Sequence, residues 1–540
     1  MSDAPQLEWW KTGVVYQIYP RSFKDSNNDG IGDLAGITST LDYLNWLGVD
    51  ALWLSPIFPS PMKDFGYDVA NYVDIHPAFG TLADFDALLA DAHKRDMKVL
   101  LDLVPNHTSD QHAWFLESRS SRDNPKRAWY LWQDAKADGS PPTNWLAYFG
   151  GSAWTWDEKT GQYYMHNFLA EQPDLNYRNP AVLAAMLDQI KFWLDRGVDG
   201  FRVDVIDRML KDEQFRDNPP NPAYVAGRDN PMWSQLRMYS ENRPGINDLI
   251  AEFRTLFDQY ADRVMIGEIA YSTDPEAITG FYHEDGRDLI QLPFNFALIL
   301  LPWNAQAVRQ FVDVYETALP ADGQPNYVMG NHDMERLASR IGAAQARVAA
   351  MLLLTLRGTP FIYQGEELGM TNGELTPAQY QDPQGINTGV SRDFERTPFH
   401  WNGDAGAGFS SATPWLPIAS NYTTVNVENE KRDPYSMLNL YRALIIHRRL
   451  IPALMHGRYK SLASPAGTFV YVRVYGQQCI LVALNFMDQA QTLMLGLTGS
   501  GELLLSTALD RQAQRIDITA LDLRPNEGVM ISLLAYKVDR

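Results

Sequence analysis

The stretch KVLLDLVPNH, residues 98–107, decides the fold that the sequence predicts. It is a short, β-rich apolar run that ends in polar side chains, and a helical pattern over residues 82–95 precedes it. Similar apolar runs alternate with helical patterns along most of the chain, for example at 181–196, 247–260 and 343–356. Strands that alternate with helices are typical of a parallel sheet.

Eight such runs are candidate strands, and this number favours a closed (β/α)8 barrel over an open sheet. They are residues 14–19, 51–55, 98–104, 200–205, 264–269, 291–296, 327–330 and 360–363. Residues 106–178 are rich in Trp, Asn, Gly and Pro and are too long for a loop between a strand and a helix. From about residue 455, short alternating runs follow one another without helices, which indicates an antiparallel β domain.

We therefore predict an α/β fold in three parts. A TIM barrel comprises residues 1–105 and 179–454, and a small domain, residues 106–178, is inserted after strand 3. Residues 455–540 are predicted to form a C-terminal antiparallel β-sandwich.

Composition and charge exclude several classes of protein. The chain has 540 residues, of which 45% are hydrophobic and 21% charged, as in an ordinary globular protein. Its formal net charge of −20 disfavours binding to nucleic acid or to an anionic membrane. The only cysteine, Cys479, excludes an internal disulfide. Residues 1–20 contain no apolar signal region, and the longest apolar run, 348–356, is too short to cross a bilayer, so we expect a cytoplasmic protein.

Charged residues lie where four of the predicted strands end. A buried strand tolerates an unpaired charge only at a cost of several kcal/mol, about the stability of a small domain. A cap or a buried ion pair would explain one such residue, but four strands of one barrel indicate an active site at its C-terminal mouth. The residues are Asp102 and His107 at strand 3, Arg202 and Asp204 in strand 4, Glu268 at strand 5, and His332 and Asp333 after strand 7.

This set suits the hydrolysis of a glycoside with retention, which needs a nucleophilic carboxylate and an acid/base about 5–5.5 Å apart. Arg202 is expected to depress the pKa of Asp204 and keep it ionised as the nucleophile. The apolar neighbours of Glu268 favour its protonated form, which suits the acid. Asp333 would add negative charge against an oxocarbenium-like transition state, and the two histidines could donate hydrogen bonds to sugar hydroxyls.

Together and in this order, the motifs resemble those of the α-amylase family of glycoside hydrolases (family 13), and within it the α-glucosidase and oligo-1,6-glucosidase branch. The match covers essentially the whole chain. The resemblance implies that Asp204 is the nucleophile, Glu268 the acid/base and Asp333 the transition-state stabiliser. The motifs are DLVPNH (102–107), QPDLN (172–176), GFRVDV (200–205), GEI (267–269) and NHD (331–333).

The resemblance also implies substrate-binding residues. Asp68 of GYDV and Arg396 of ERTPFHW look like the family's clamp on the non-reducing end of glucose. As a charged pair they would close the pocket one glucose deep. Tyr67 and Phe168 resemble the family's stacking residues. The other predicted substrate contacts are His107, Arg202 and His332.

Residues 25–33, DSNNDGIGD, predict a metal-binding loop after strand 1. Oxygen ligands of this kind are typical of a hard cation. The loop is not an EF-hand, because position twelve would be Gly36 instead of a bidentate Glu. It resembles the calcium loop of oligo-1,6-glucosidases, so we predict a structural Ca²⁺ or Mg²⁺; an acidic turn without metal is the alternative. The predicted ligands are Asp25, Asn27, Asp29 and Asp33 through their side chains and Ile31 through its carbonyl.

The sequence thus predicts a retaining, exo-acting α-glucosidase that releases glucose from short α-glucosides of the maltose or isomaltose type. The alternative is a transglycosylating relative, such as a sucrose- or trehalose-active glucosyltransferase or isomerase, in which a sugar attacks the intermediate. Acceptor choice depends on loops such as 206–245. A non-catalytic scaffold on the same fold would lack the carboxylates. Val205, after the nucleophile, resembles the residue that α-1,6-active members carry there. The nearby RDNPPNP (216–222) departs from the oligo-1,6-glucosidases, so linkage preference stays open.

Overall fold

The computed structural model describes residues 7–226, 231–269 and 271–538. Eight parallel strands form the central sheet in the order 6-5-4-3-2-1-8-7, which confirms the predicted barrel. Each predicted strand overlaps an observed one. Numbered along the chain, the strands are Val15–Ile18, Ala51–Leu54, Lys98–Leu103, Gly200–Val203, Val264–Gly267, Leu292–Pro293, Asn326–Val328 and Thr359–Tyr363.

Strands 6 and 7 meet without a backbone ladder between them in the part of the chain that the structure describes. The buried side chain of Asn326 joins them instead. Its Nδ2 donates to the carbonyl oxygen of Pro293 at 2.6 Å, and its Oδ1 accepts from the N–H of Asn295 at 2.9 Å. The side-chain amide of Asn326 therefore joins the two strands in place of backbone hydrogen bonds.

Apolar residues cover both faces of the strands, as expected for a parallel sheet with helices outside it. Trp53, Leu100, Ile266, Phe294 and Phe361 belong to the cluster inside the barrel. The opposite faces pack against the surrounding helices. The longer helices are Leu82–His93, Pro180–Arg196, Ile246–Phe257, Ala305–Ala318, Ala343–Thr355 and Met437–Leu450.

Local sequence explains where these helices begin and end. Before the helix Pro180–Arg196, the side chain of Asn179 accepts from the N–H of Ala181, and Pro180 occupies a first-turn position where its missing N–H costs nothing. Gly197 ends the helix with φ 105°, which favours glycine. This helix returns the chain to strand 4 and so sets the position of Asp204.

The inserted segment contains a three-stranded antiparallel sheet, Trp132–Gln133, Trp154–Asp157 and Gln162–Met165, and the short helix Ala113–Ser118. The C-terminal part is antiparallel, as predicted, with a six-stranded sheet and a second sheet of only two strands. Among the described residues, no helix combines the length and apolar character needed to cross a bilayer. The six strands are Arg458–Leu462, Thr468–Tyr475, Gln478–Asn485, Leu497–Ser506, Gln514–Asp517 and Gly528–Val538, and the two are Gln491–Leu493 and Leu521–Leu523.

Candidate active site

A cavity of about 460 Å³ lies at the mouth of the barrel, where the C-terminal ends of its strands meet. Active sites of barrels of this type collect at this end. The loops after strands 2, 3, 4, 5 and 7 each contribute to its lining, as does the inserted domain. The predicted site residues that line it are Tyr67, His107, Phe168, Asp204, Glu268 and Asp333.

Arg202 holds the two predicted catalytic carboxylates. Its Nη1 lies 2.8 Å from Oδ1 of Asp204, and its Nη2 lies 2.7 Å from Oε2 of Glu268. The same Nη1 lies 2.9 Å from Oδ1 of Asp102, its partner on the adjacent strand 3. Arg202 is buried and does not line the cavity. Arg202 contacts the reaction centre through these carboxylates, and its direct contact with substrate stays a prediction.

Val205, the residue after Asp204, has an unusual backbone. Its φ of 37° and ψ of 48° lie in the left-handed region, which a β-branched side chain rarely adopts. In this conformation its N–H donates to Oε2 of Glu268 at 3.1 Å. The turn that ends strand 4 thus points a backbone donor at the predicted acid/base.

The charge state of Asp204 differs from the one predicted. Burial raises the pKa of Asp204 well above its ordinary value, because the attraction of Arg202 does not offset it and the nearby Glu268 and Asp102 add to it. Burial likewise raises the pKa of Asp102 to about 7. Arg202 lowers the pKa of Asp204 as expected, but burial outweighs this effect, so the prediction that the pKa is depressed overall is wrong. Asp102 and Asp204 both contact the guanidinium of Arg202, and the repulsion between their charges adds to the effect of burial on both groups.

Asp333 is the opposite case. Burial alone would raise its pKa, but His332, Arg392 and Arg396 hold the pKa well below its ordinary value. Its Oδ1 lies 2.8 Å from Nη2 of Arg396 and 3.1 Å from Nη1 of Arg392. Asp333 is thus a fixed negative charge, as a stabiliser of a cationic transition state requires.

The predicted pair of Asp68 and Arg396 is wrong. Asp68 is fully buried behind the cavity lining, where its carboxylate accepts from Ser60 Oγ at 2.7 Å and from the N–H groups of Lys63 and Asp64 at 2.9 and 3.0 Å. Arg396 donates instead to the carbonyl oxygen of His332 at 2.7 Å and to Asp333. Each side chain braces a loop and neither lines the cavity.

Asp64 and Arg392, each four residues before its predicted counterpart, form a charged pair that lines the cavity. Nη2 of Arg392 lies 2.9 Å from Oδ1 of Asp64, and both residues line the cavity. Gln172 of the QPDLN motif donates to Oδ2 of Asp64 at 3.1 Å, which ties the inserted domain to this end. Asp64 and Arg392 lie just before the two quoted motifs, so KDFGYD (63–68) contains two aspartates and SRDFER (391–396) contains two arginines.

The predicted histidines and aromatic residues surround the same end. The ring of His332 stacks on Tyr67 with centroids 5.5 Å apart, and its Nε2 lies 2.7 Å from the Tyr67 hydroxyl. His332 lies behind Tyr67 and does not line the cavity. Burial lowers the pKa of His332 to about 3 and that of His107 to about 4, so both rings are neutral. Phe168 stacks on Tyr148 at 5.2 Å in the cavity wall.

The loop predicted to influence acceptor choice, 206–245, contributes several lining residues that the sequence did not single out. Glu241 is the centre of their polar contacts, because Arg208 Nε lies 3.0 Å from its Oε2 and the Tyr148 hydroxyl donates to the same oxygen at 2.8 Å. Trp233 is about half exposed at the mouth. Residues 227–230 of this loop lie outside the described part of the chain. The lining residues of the loop are Arg208, Met232, Trp233 and Glu241.

The predicted oxygen donors of the loop at 25–33 are close in sequence. In the structure, the carboxylates of the loop accept backbone hydrogen bonds. Asp25 accepts from the N–H groups of Asn28 and Gly30 at 2.7 and 2.9 Å. Asp33 caps the following helix through the N–H of Gly36. An all-oxygen donor set of this kind fits a hard cation. The described residues contain no group of three or more acidic, histidine or cysteine side chains placed together to hold a metal.

Comparisons with known proteins agree with this geometry. The family described as "Alpha amylase, catalytic domain" matches residues 17–457. A probable alpha-glucosidase of Rhizobium meliloti (strain 1021) is 44% identical over 506 residues, covering 90% of this chain and 91% of that protein. An oligo-1,6-glucosidase of Halalkalibacterium halodurans is 40% identical over 519 residues, covering 89% and 90%. The crystal structure of the alpha-glucosyl transfer enzyme XgtA aligns with a TM-score of 0.92 at 41% identity, covering 98% of this chain and all of that one.

Proposed function

The chain belongs to the alpha-amylase family, and from this premise we propose that it is a retaining, exo-acting α-glucosidase. Its substrates are short α-glucosides, from which it releases glucose at the non-reducing end. The observation that carries the proposal is the single guanidinium of Arg202, which contacts both Asp204 and Glu268 in a cavity that contains the ion pair of Asp64 and Arg392.

The reaction proceeds by double displacement. A carboxylate oxygen of Asp204 attacks the anomeric carbon, the bond from that carbon to the glycosidic oxygen breaks, and Glu268 gives its proton to the departing oxygen. Glu268, now ionised, takes a proton from water, whose oxygen attacks the same carbon and releases the Asp204 carboxylate. The first step therefore requires a proton on Glu268 and an ionised carboxylate on Asp204.

The other members of the site act on charge and position. Asp333 faces the cavity as a fixed carboxylate, which favours the positive charge that develops on the sugar ring. Asp64 and Arg392 form the clamp on the non-reducing glucose in place of the pair predicted from the sequence. A charged pair that closes the cavity beyond the first glucose would make the enzyme act on chain ends.

Transfer of glucose to a sugar is the second candidate function. The similarity to the alpha-glucosyl transfer enzyme XgtA supports it, since both outcomes share the glycosyl ester on Asp204. They differ in whether water or an acceptor hydroxyl takes up the glucose. Trp233 and Leu300, two exposed side chains that line the mouth of the cavity, offer an apolar surface on which an acceptor sugar could pack.

One experiment tests both functions. Initial rates on maltose, isomaltose, sucrose and trehalose are measured side by side, and the products at high maltose are separated by size. We expect glucose as the first product from at least maltose or isomaltose, with trisaccharides appearing only at high maltose. Absence of glucose release from all four sugars would reject the α-glucosidase. Trisaccharides in excess of glucose even at low maltose would favour the transferase.

We also propose that the loop at 25–33 binds a structural Ca²⁺ or Mg²⁺. The support is its donor set, four side-chain oxygens and one carbonyl within nine residues. The loop does not line the cavity, so the ion would stabilise the fold without entering the reaction. We further propose a cytoplasmic location, which the lone, buried Cys479 supports and which cell fractionation tests.

A further inference from the structure

Asp382 lies behind the clamp and contacts it without reaching the cavity. The residue is fully buried and is not part of the cavity lining. Its Oδ1 accepts from Nη2 of Arg392 at 2.7 Å, and both of its oxygens lie 3.2 Å from Nε of Arg392. Its Oδ2 also accepts from the backbone N–H of Arg392 at 2.8 Å. The Asp382 carboxylate thus contacts one edge of the Arg392 guanidinium and also the main chain of Arg392.

The same nitrogen of Arg392 serves Asp382 and Asp64. Nη2 lies 2.7 Å from Asp382 and 2.9 Å from Asp64, so the bond to Asp382 fixes the direction in which the guanidinium meets the clamp. Bidentate contacts between arginine and a carboxylate are strong and directional. We propose that Asp382 is a positioning residue that holds Arg392 against Asp64 and thereby sets the affinity of the pocket for the terminal glucose. This inference rests on the clamp of the proposed function.

The contacts predict which kinetic constant depends on Asp382. Asp333 is held by Arg396 as well as by Arg392, so the transition-state stabiliser keeps an anchor when Arg392 shifts. Among the described residues, Arg392 is the cation that forms an ion pair with Asp64. Removing the charge of Asp382 lets Arg392 turn toward the two remaining carboxylates. Binding of glucose should therefore suffer more than turnover of bound substrate.

A purely structural role of Asp382 is the competing explanation, and the chain offers a matched control. Asp393 is equally buried and belongs to the same loop. Its Oδ2 accepts from the N–H groups of Gln381 and Asp382 at 2.7 and 2.9 Å and from Ser391 Oγ at 2.9 Å. Asp382 and Asp393 therefore brace the loop from its two ends, but only Asp382 contacts the guanidinium of Arg392.

The test compares Asp382→Asn with Asp393→Asn. Both variants lose a buried charge of the loop and keep one side-chain oxygen, so a structural role predicts similar losses. We expect Asp382→Asn to raise KM for maltose and Ki for glucose together by about tenfold, with kcat within about threefold of the wild type. Asp393→Asn should leave both constants within about twofold, whatever its melting temperature.

Equal KM and Ki in the two variants would overturn the inference. Asp382→Ser provides a second variant, because serine keeps a cap for the helix Pro383–Thr388 but cannot pair with Arg392. It should show the same rise in KM and Ki, and failure of both variants to fold would assign Asp382 to folding instead. A crystal structure of Asp382→Asn separates this inference from the proposed function. Arg392 unmoved against Asp64 would reject positioning, whereas an inactive wild type would reject the glucosidase.

Discussion

The backbone N–H of Val205 donates a hydrogen bond to Oε2 of Glu268 at 3.1 Å, so the residue that follows the proposed nucleophile contacts the proposed acid/base. This contact requires the left-handed backbone of Val205, which costs on the order of 1–3 kcal/mol. The packing of the surrounding barrel offsets this cost in free energy. With Arg202 on one side and this N–H on the other, Glu268 has little freedom to leave its reacting position.

The acid role of Glu268 predicts a dependence on the leaving group. In Glu268→Gln, maltose turnover should fall by at least about 10³-fold, because its leaving hydroxyl needs a proton. Turnover of an activated aryl α-glucoside should fall much less. The control is Asp204→Asn, which cannot form the glycosyl ester and should lose about 10⁴-fold on both substrates. Steady-state rates on the two substrates provide the measurement, and equal losses in Glu268→Gln would remove the acid role.

The clamp predicts contrasting effects of two aspartates four residues apart. Asp64→Asn should lower kcat/KM for maltose by about 100-fold or more and leave the melting temperature within about 2 °C, since Asp64 faces the cavity. Asp68→Ala should lower the melting temperature by several degrees, because three hydrogen-bond donors of its loop lose their acceptor. Calorimetry and initial rates distinguish the two.

The clamp also predicts the mode of attack. A pocket closed by Asp64 and Arg392 should release glucose from chain ends only, so the viscosity of an amylose solution should fall slowly relative to the release of reducing ends. A rapid early loss of viscosity would mean cleavage within the chain and would contradict a closed pocket.

Two buried glutamates, Glu366 and Glu395, and the partly buried Glu430 predict a loss of stability as pH rises toward 8. Burial raises the pKa of Glu366, Glu395 and Glu430 to about 8. The native state therefore keeps protons that the unfolded chain releases above about pH 4.5, and this contribution to stability is lost as pH rises through about 8. Buried histidines with lowered pKa act in the opposite direction only below about pH 6.5, so the decline should be visible between pH 6.5 and 8.5.

Glu430→Gln isolates one of these groups. Its melting temperature should decline less than that of the wild type between pH 6.5 and 8.5, by about 1–3 °C, because each such glutamate contributes about 1.4 kcal/mol per pH unit. Glu428→Gln, an exposed position on the same helix Val427–Arg432, is the control and should follow the wild type. Parallel curves for Glu430→Gln and the wild type would show that Glu430 is ionised in the native state.

The metal loop predicts an effect on stability alone. EDTA should lower the melting temperature by several degrees, and calcium or magnesium should restore it, because an ion that binds only the native state stabilises it by RT ln(1 + [L]/Kd). Activity at low temperature should stay nearly unchanged. The melting temperature of Asp29→Ala should no longer change when calcium or magnesium is added.

Asp29→Asn separates the metal site from a plain acidic turn. It keeps the side-chain oxygen that accepts from the N–H of Ile31 at 2.8 Å but removes the charge. If the loop holds an ion, this variant should also respond weakly to calcium. If the loop is only a turn, the variant and the wild type should melt alike with and without EDTA.

The barrel could be predicted from the sequence because its strands are buried on both faces and read as short apolar runs. The catalytic carboxylates stood out for a related reason, since charges such as Asp204 and Glu268 interrupt those runs. The clamp could not be identified in the same way, because Asp64 and Asp68 both lie in KDFGYD (63–68) and Arg392 and Arg396 both lie in SRDFER (391–396). Only the folded chain determines which aspartate and which arginine turn toward the cavity.

Burial by distant segments also explains the error on Asp204. The neighbouring Arg202 is visible in the sequence, but Asp102 and Glu268 approach from strands 3 and 5, and the desolvation of Asp204 comes from the whole mouth of the barrel. The acceptor residues Arg208, Glu241 and Trp233 lie in a loop without helical or strand periodicity. Nothing local distinguishes them from other residues of a polar loop.

The side-chain amide of Asn326 marks the position around the barrel where neighbouring strands share the fewest hydrogen bonds. Every other neighbouring pair of its strands is joined by ladder hydrogen bonds, whereas strands 6 and 7 depend on two bonds from one side chain. Asp333 follows only seven positions later on the same strand and its loop. A fluctuation that separates strands 6 and 7 would move Asp333 away from Asp204 and Glu268. The two hydrogen bonds of the Asn326 amide therefore influence how long the three carboxylates keep their relative positions.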